Sequence, residues 1–192
     1  MRPLPLLASL CLLSSGLFAQ QVTLRGKVED IQGTSRFRVD CTDTELTSSS
    51  FDLNAFLGQQ VLIQGTRVLP ASPPTVEVSS IVASAGVFEI PGNPQIGGTL
   101  RFELITTPGT RASIYAARAP GFRSFPTAGV VFLDPVSAQL AAVGVVSGAG
   151  TLSLAIPVPA DPLLIGLTVH AQAALVASGT LRFTNPDCKT IQ

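Results

Sequence analysis

The chain has 192 residues, with 12 Lys plus Arg against 12 Asp plus Glu, one His, three Cys and no Trp; charged residues make up 12% and apolar residues 46%. Charge at about half the globular share of roughly 25%, with no basic excess, excludes the dense positive field on which phosphate neutralisation rests, so nucleic acid is disfavoured as a partner. One imidazole, with only two cysteines left beyond the N-terminal leader and those expected to pair, does not make an ordinary zinc site, and no residue pattern calls for a cofactor.

In chain order, MRPLPLLASLCLLSSGLFAQQ carries one positive charge, Arg2, then an apolar run from Leu4 to Leu13, then small and polar residues to Ala19. That is the pattern of a secretory signal peptide, and the run is shorter than the roughly 20 residues a bilayer span needs. Residues 1–19 are expected to be removed, leaving a secreted protein, extracellular or periplasmic, that starts at Gln20 without a membrane span. Loss of Arg2 leaves eleven basic and twelve acidic residues. Loss of Cys11 leaves Cys41 and Cys188. In an oxidising compartment such a pair is expected as a disulfide rather than as two unrelated buried thiols.

Residues 20–85 alternate apolar and polar side chains between turn residues, the signature of strands. Val22, Leu24, Gly26 and Val28 alternate with Thr23, Arg25, Lys27 and Glu29, and Phe37, Val39 and Cys41 alternate with Arg36, Arg38 and Asp40. QVLIQGTRV and TVEVSSIVA supply two more strands, and Asp52 is placed to cap a single helical turn closed by Gly58. Four or five strands in this length predict a small barrel or sandwich.

Residues 86–192 begin with a strand over Val87 to Ile90 and the turn-rich PGNPQIGG. GTLRFEL, GTLSLAI and GTLRFTN each leave a glycine turn, but their unequal spacing is no solenoid period. With ASIYAA, Val130 to Asp134 and Gln139 to Val146 they give seven or eight strands, for which a β-sandwich is the usual solution. DPLLIGLTVHAQAALV is too short and too polar for a membrane span. Thr168, His170 and Gln172, spaced by two, favour a turn over Asp161 to Ile165 followed by a strand over Leu167 to Val176. The expected fold class is all-β: a small barrel or sandwich, then a β-sandwich.

IPVPADPLLIGLTVHAQAALV and LRFTNPDCKTI, together with PQIGGTLRF and FLDP, resemble a β-sandwich domain of secreted proteins of planctomycete-type bacteria. The resembling features are Ile156-Pro157 with Asp161-Pro162, LIGL, Gln172-Ala173 and Thr184-Asn185, over Val87 to Ile191. The resemblance implies a secreted sandwich and brings no catalytic or binding residue with it. VTLRGKV and LGQQVLIQGT resemble a small barrel of the OB type, which implies an oligosaccharide or oligonucleotide surface on a strand face.

Four cations, Arg25, Lys27, Arg36 and Arg38, fall on the polar side of two strands expected to pair, and are the candidate ligand-binding residues. They compete with a plainer reading, a solvated face of mixed charge, because Glu29, Asp40, Asp43 and Glu45 lie among them without interleaved aromatics. DCTDTEL offers oxygens to calcium but lacks the glycine and terminal acidic ligand of an EF-hand loop, so an acidic turn and no metal is expected. His170 with Asp161 is the one candidate base for a hydrolase; there is no G-x-S-x-G elbow to serve it. The sequence therefore points to a non-catalytic, extracellular or envelope-associated structural or binding module, with an extracellular protein or glycan as the partner class. The alternatives are oligosaccharide or single-stranded nucleic-acid capture by the N-terminal barrel, and hydrolysis using His170.

Overall fold

A computed structural model describes residues 20–32, 34–85 and 87–192. Residues 1–19, read above as a signal peptide, lie outside the described residues. The fold is all-β, with fifteen strands and two short 3-10 turns among the described residues, and none of its helices is long and apolar enough to cross a membrane.

The first five strands are β1 (Gln20–Asp30), β2 (Phe37–Val39), β3 (Glu45–Thr47), β4 (Gln60–Val68) and β5 (Thr75–Ala83). They form a closed barrel in the order β1-β2-β3-β5-β4, with β3 and β5 parallel. The long β1 makes closure possible: its first part pairs with β4 and its end pairs with β2. Alternate residues Val22, Leu24 and Val28 point inward to meet Val61, Ile63, Val76 and Val78. A bulge at Ser79 of β5 lies opposite Gln64 and Gly65 of β4, where a Cβ on Gly65 would run into the Glu77 carbonyl; a bulge and a glycine together let a small barrel turn its corner. The expected turn is present as a 3-10 turn over Leu53–Phe56, with the Asp52 side chain accepting from the Asn54 N–H. It ends at Gly58, whose φ of 72° suits glycine and whose N–H donates to the Val28 carbonyl at 2.8 Å.

Ten strands follow, eight of them in the sandwich as expected and two in a separate ribbon: β6 (Phe88–Glu89), β7 (Thr99–Ile105), β8 (Arg111–Ala117), β9 (Pro120–Phe125), β10 (Gly129–Leu133), β11 (Gln139–Val145), β12 (Thr151–Pro157), β13 (Thr168–Ala177), β14 (Thr180–Phe183) and β15 (Asp187–Thr190). A three-stranded sheet, β12-β7-β6, faces a five-stranded one in which β13 pairs with β8 on one side and, on the other, with β14 along its second half and β15 along its first. Phe88, Phe102 and Leu104 from one sheet and Ile114, Ala171 and Ala173 from the other fill the core between them. The turn expected before β13 is the 3-10 turn Pro162–Leu164, capped by Asp161, with Pro at its first turn.

One pairing departs from the sequence reading. Val130 to Asp134 was expected as a sandwich strand, but β10 pairs only with β9, in a separate two-stranded ribbon. Its Val130 and Phe132 are buried in the barrel core. The ribbon thus covers the barrel on one side and lies against the outer face of the five-stranded sheet on the other.

Candidate functional site

The four candidate cations do not make one open basic face. Arg38 pairs with Glu29 at 2.9 Å, directly across the β1/β2 register, and Arg36, just ahead of β2, pairs with Glu45. Hydrogen bonding to Glu45 raises the Arg36 pKa above its ordinary value. Lys27 lies 4.0 Å from Asp40. Asp40 and Glu45 therefore face separate cations instead of converging with Asp43 on a common centre, and no group of three or more potential metal ligands occurs among the described residues. Arg25 stands apart, donating to the Ser84 hydroxyl at 3.0 Å on the far stretch of β1.

Cys41 and Cys188 are disulfide-bonded, tying the barrel to β15. Beside the bridge, His170 Nδ1 lies 3.0 Å from the Cys41 carbonyl oxygen, a contact between β13 and the barrel. The Asp161 carboxylate, its suggested partner, accepts instead from the Leu163 N–H. The Asp187 carboxylate accepts from the N–H groups of Ile90 at 2.6 Å and Cys188 at 2.7 Å, holding β15 against the segment that follows β6.

Sequence reasoning did not find an apolar cleft that the fold creates. It lies between the β9/β10 ribbon and the outer face of the five-stranded sheet, with a volume of about 410 Å³. Register explains who lines it: Tyr115 of β8 sits beside Gln172 of β13, and Ala174 sits beside Phe183 of β14, all on the outer side. The ribbon adds Phe125, whose ring centroid is 5.4 Å from that of Phe183, and Arg123, whose guanidinium lies 5.3 Å over the Phe125 ring. Tyr115, the chain's one tyrosine, is partly exposed at the rim.

The floor is held by Gln172, which is 2% exposed. Its Oε1 accepts from the Phe132 N–H at 2.9 Å, and its Nε2 donates to the carbonyls of Val130 and Thr184 at 2.9 and 2.8 Å. One amide thus satisfies three backbone groups on two elements, which fixes the gap between ribbon and sheet. An apolar, largely preformed concavity with a few oriented polar groups is the usual form of a small-ligand site. The only sequence signal was Gln172 alternating with His170, a pattern that equally marks a solvated strand face.

The fold and cleft together define an all-β protein in which a closed five-stranded barrel and a two-sheet sandwich share a ribbon. Comparison with family models, with curated proteins and with solved structures finds no match.

Proposed function

We propose that the protein is a non-catalytic binding module working outside the cytoplasm, and that its ligand site is the cleft between β9/β10 and the five-stranded sheet. The observation that carries this reading is the aromatic lining: Tyr115, Phe125 and Phe183 around about 410 Å³ with a single guanidinium, Arg123, at the edge. Flat apolar ring faces with one donor suit a sugar ring, whose C–H face stacks on an aromatic while its hydroxyls hydrogen-bond at the rim. A glycan is therefore the favoured ligand class, in keeping with the extracytoplasmic compartment that the signal-like leader and the disulfide support. The engagement of His170 with a backbone carbonyl and of Asp161 with a helical cap supports the non-catalytic part of the proposal.

The test is titration of an oligosaccharide panel into the protein spanning Gln20 to Gln192, alongside Ala174→Trp, which fills the cleft from β13, and Tyr115→Ala, which strips its rim. Saturable binding of a saccharide that Ala174→Trp abolishes and Tyr115→Ala weakens is the expected result. Absence of binding across the panel, or binding that survives both substitutions, overturns the proposal.

A second reading keeps capture on the barrel. The strand order and the short turn between β3 and β4 support the likeness to OB-type barrels, and a groove of about 410 Å³ runs past Ile31, Arg38, Asp43, Glu45 and Pro73. Because Arg36 and Arg38 are each matched by a carboxylate there, that groove suits a neutral oligosaccharide better than a single-stranded nucleic acid. Binding that Arg38→Ala abolishes while Ala174→Trp spares it selects this second reading.

A further inference from the structure

We propose that a small pocket between the barrel and the tip of the β9/β10 ribbon is an oxyanion site, taking a sulfate or phosphate group between Arg25 and Arg182. Arg25 enters it from β1 and Arg182 from β14, with the ribbon turn at Thr127 and Gly129 closing one side and a volume of about 180 Å³ between them. That is ample room for a tetrahedral anion. No Asp or Glu lines the pocket. Neither guanidinium has a carboxylate within ion-pair distance among the described residues, whereas Lys27, Arg36, Arg38 and Lys189 each have one.

Two guanidinium groups facing one pocket repel each other unless something lies between them. Burial, then the nearby Arg182 charge, lowers the Arg25 pKa below its ordinary value, with no acidic neighbour acting the other way. The barrel nevertheless holds Arg25 in place through the Ser84 hydroxyl, 3.0 Å from its Nη1. Thr23 and Thr127 also line the pocket. Planar, always-charged guanidinium forks matched to tetrahedral oxyanions are the usual means of binding sulfate and phosphate, and an anion here would turn the repulsion into a bridge between barrel and sandwich. The site is separate from the aromatic cleft, so its fate does not depend on the glycan reading.

Calorimetric titration with inorganic sulfate, inorganic phosphate, glucose 6-sulfate and glucose 6-phosphate, at fixed ionic strength against chloride, tests the proposal. Saturable binding is expected, weakened about tenfold or more by Arg182→Gln and by Arg25→Gln, since each removes a charge-assisted donor. Arg101→Gln, which takes a cation from outside the pocket, should leave it unchanged. If Arg25→Gln does not fold, Arg182→Gln, on an exposed strand position, decides alone. Tighter binding of the sugar esters than of the inorganic anions identifies an organic ester as the ligand, and equal binding identifies the free oxyanion. A response that does not saturate, or that all variants share with chloride, is bulk salt action and overturns the site.

Discussion

Glu77 shows how much a single side chain can do on this lightly charged surface. Its carboxylate accepts from the Thr47 hydroxyl at 2.7 Å and from the Ser49 N–H at 2.9 Å, pinning the chain that leaves β3 to β5. These hydrogen bonds, the Thr47 one foremost, hold its pKa below the ordinary 4.5. A carboxylate depressed in the folded state contributes stability that is present above its unfolded pKa and is lost as pH falls through the folded value. Urea melts taken from about pH 5.5 down to about pH 3 should therefore show a decline that Glu77→Gln makes shallower; identical acid limbs in the two proteins would contradict this. Cys41 is a second case. It has a φ of 63°, a left-handed conformation uncommon outside glycine, in the turn that follows β2. The sequence displays a cysteine there, and only the backbone reveals that it also makes a tight turn.

At the scale of elements, alternation was legible and interruption was not. QVLIQGTRV and TVEVSSIVA became β4 and β5 over the expected residues, because each has one buried and one wet side. β9, PGFRSF, has no such contrast: it is half-buried along most of its length, between barrel and sheet, so no periodicity marks it. β15, DCKT, has no aliphatic side chain and is held by pairing to β13 and by the disulfide. β3 hides inside an acidic stretch that reads as a turn. Gln172, Thr184 and Asn185, which help carry the resemblance to a secreted sandwich domain, are all buried and each bonds backbone on a neighbouring segment. Polar residues of this kind look in sequence like a wet strand face; their partners are distant in the chain and appear only once it is folded. The Gln172 staple gives a direct test. Gln172→Leu leaves the Phe132 N–H and the Val130 and Thr184 carbonyls without their side-chain partner, and should cost about 3 kcal/mol. A urea midpoint within error of the parent protein would show that the ribbon does not need the staple.

For the molecule as a whole, the cross-links between barrel and sandwich are unlike in kind. A disulfide joins positions 147 apart in sequence, His170 meets the Cys41 carbonyl, Arg67 lies 4.8 Å over the Phe122 ring, and Phe132 sits inside the barrel core. Closing so long a loop restricts the unfolded chain by about 5 kcal/mol in the chain-entropy account. Reduction should therefore lower the unfolding free energy by up to that amount, and Cys41→Ala with Cys188→Ala should reproduce the loss without reductant; equal melting of oxidised, reduced and doubly substituted protein would contradict it. The four candidate cations belong to this scale too. Alternation places several of them on the polar side of the barrel, but whether a cation is free or matched depends on register and turns, and three of the four are matched.

Sharing a ribbon also sets an order in time. A ribosome releases residues 20–85 first, yet the barrel they form lacks Val130 and Phe132 of its own core. At about 5–20 residues per second the missing ribbon follows on the order of seconds later, and Cys188, 147 positions after Cys41, arrives later still. For that interval the nascent barrel has an uncovered side and a cysteine without its mate. The barrel is thus completed only once the ribbon has emerged, and its disulfide is a seal applied after that, when Cys188 follows.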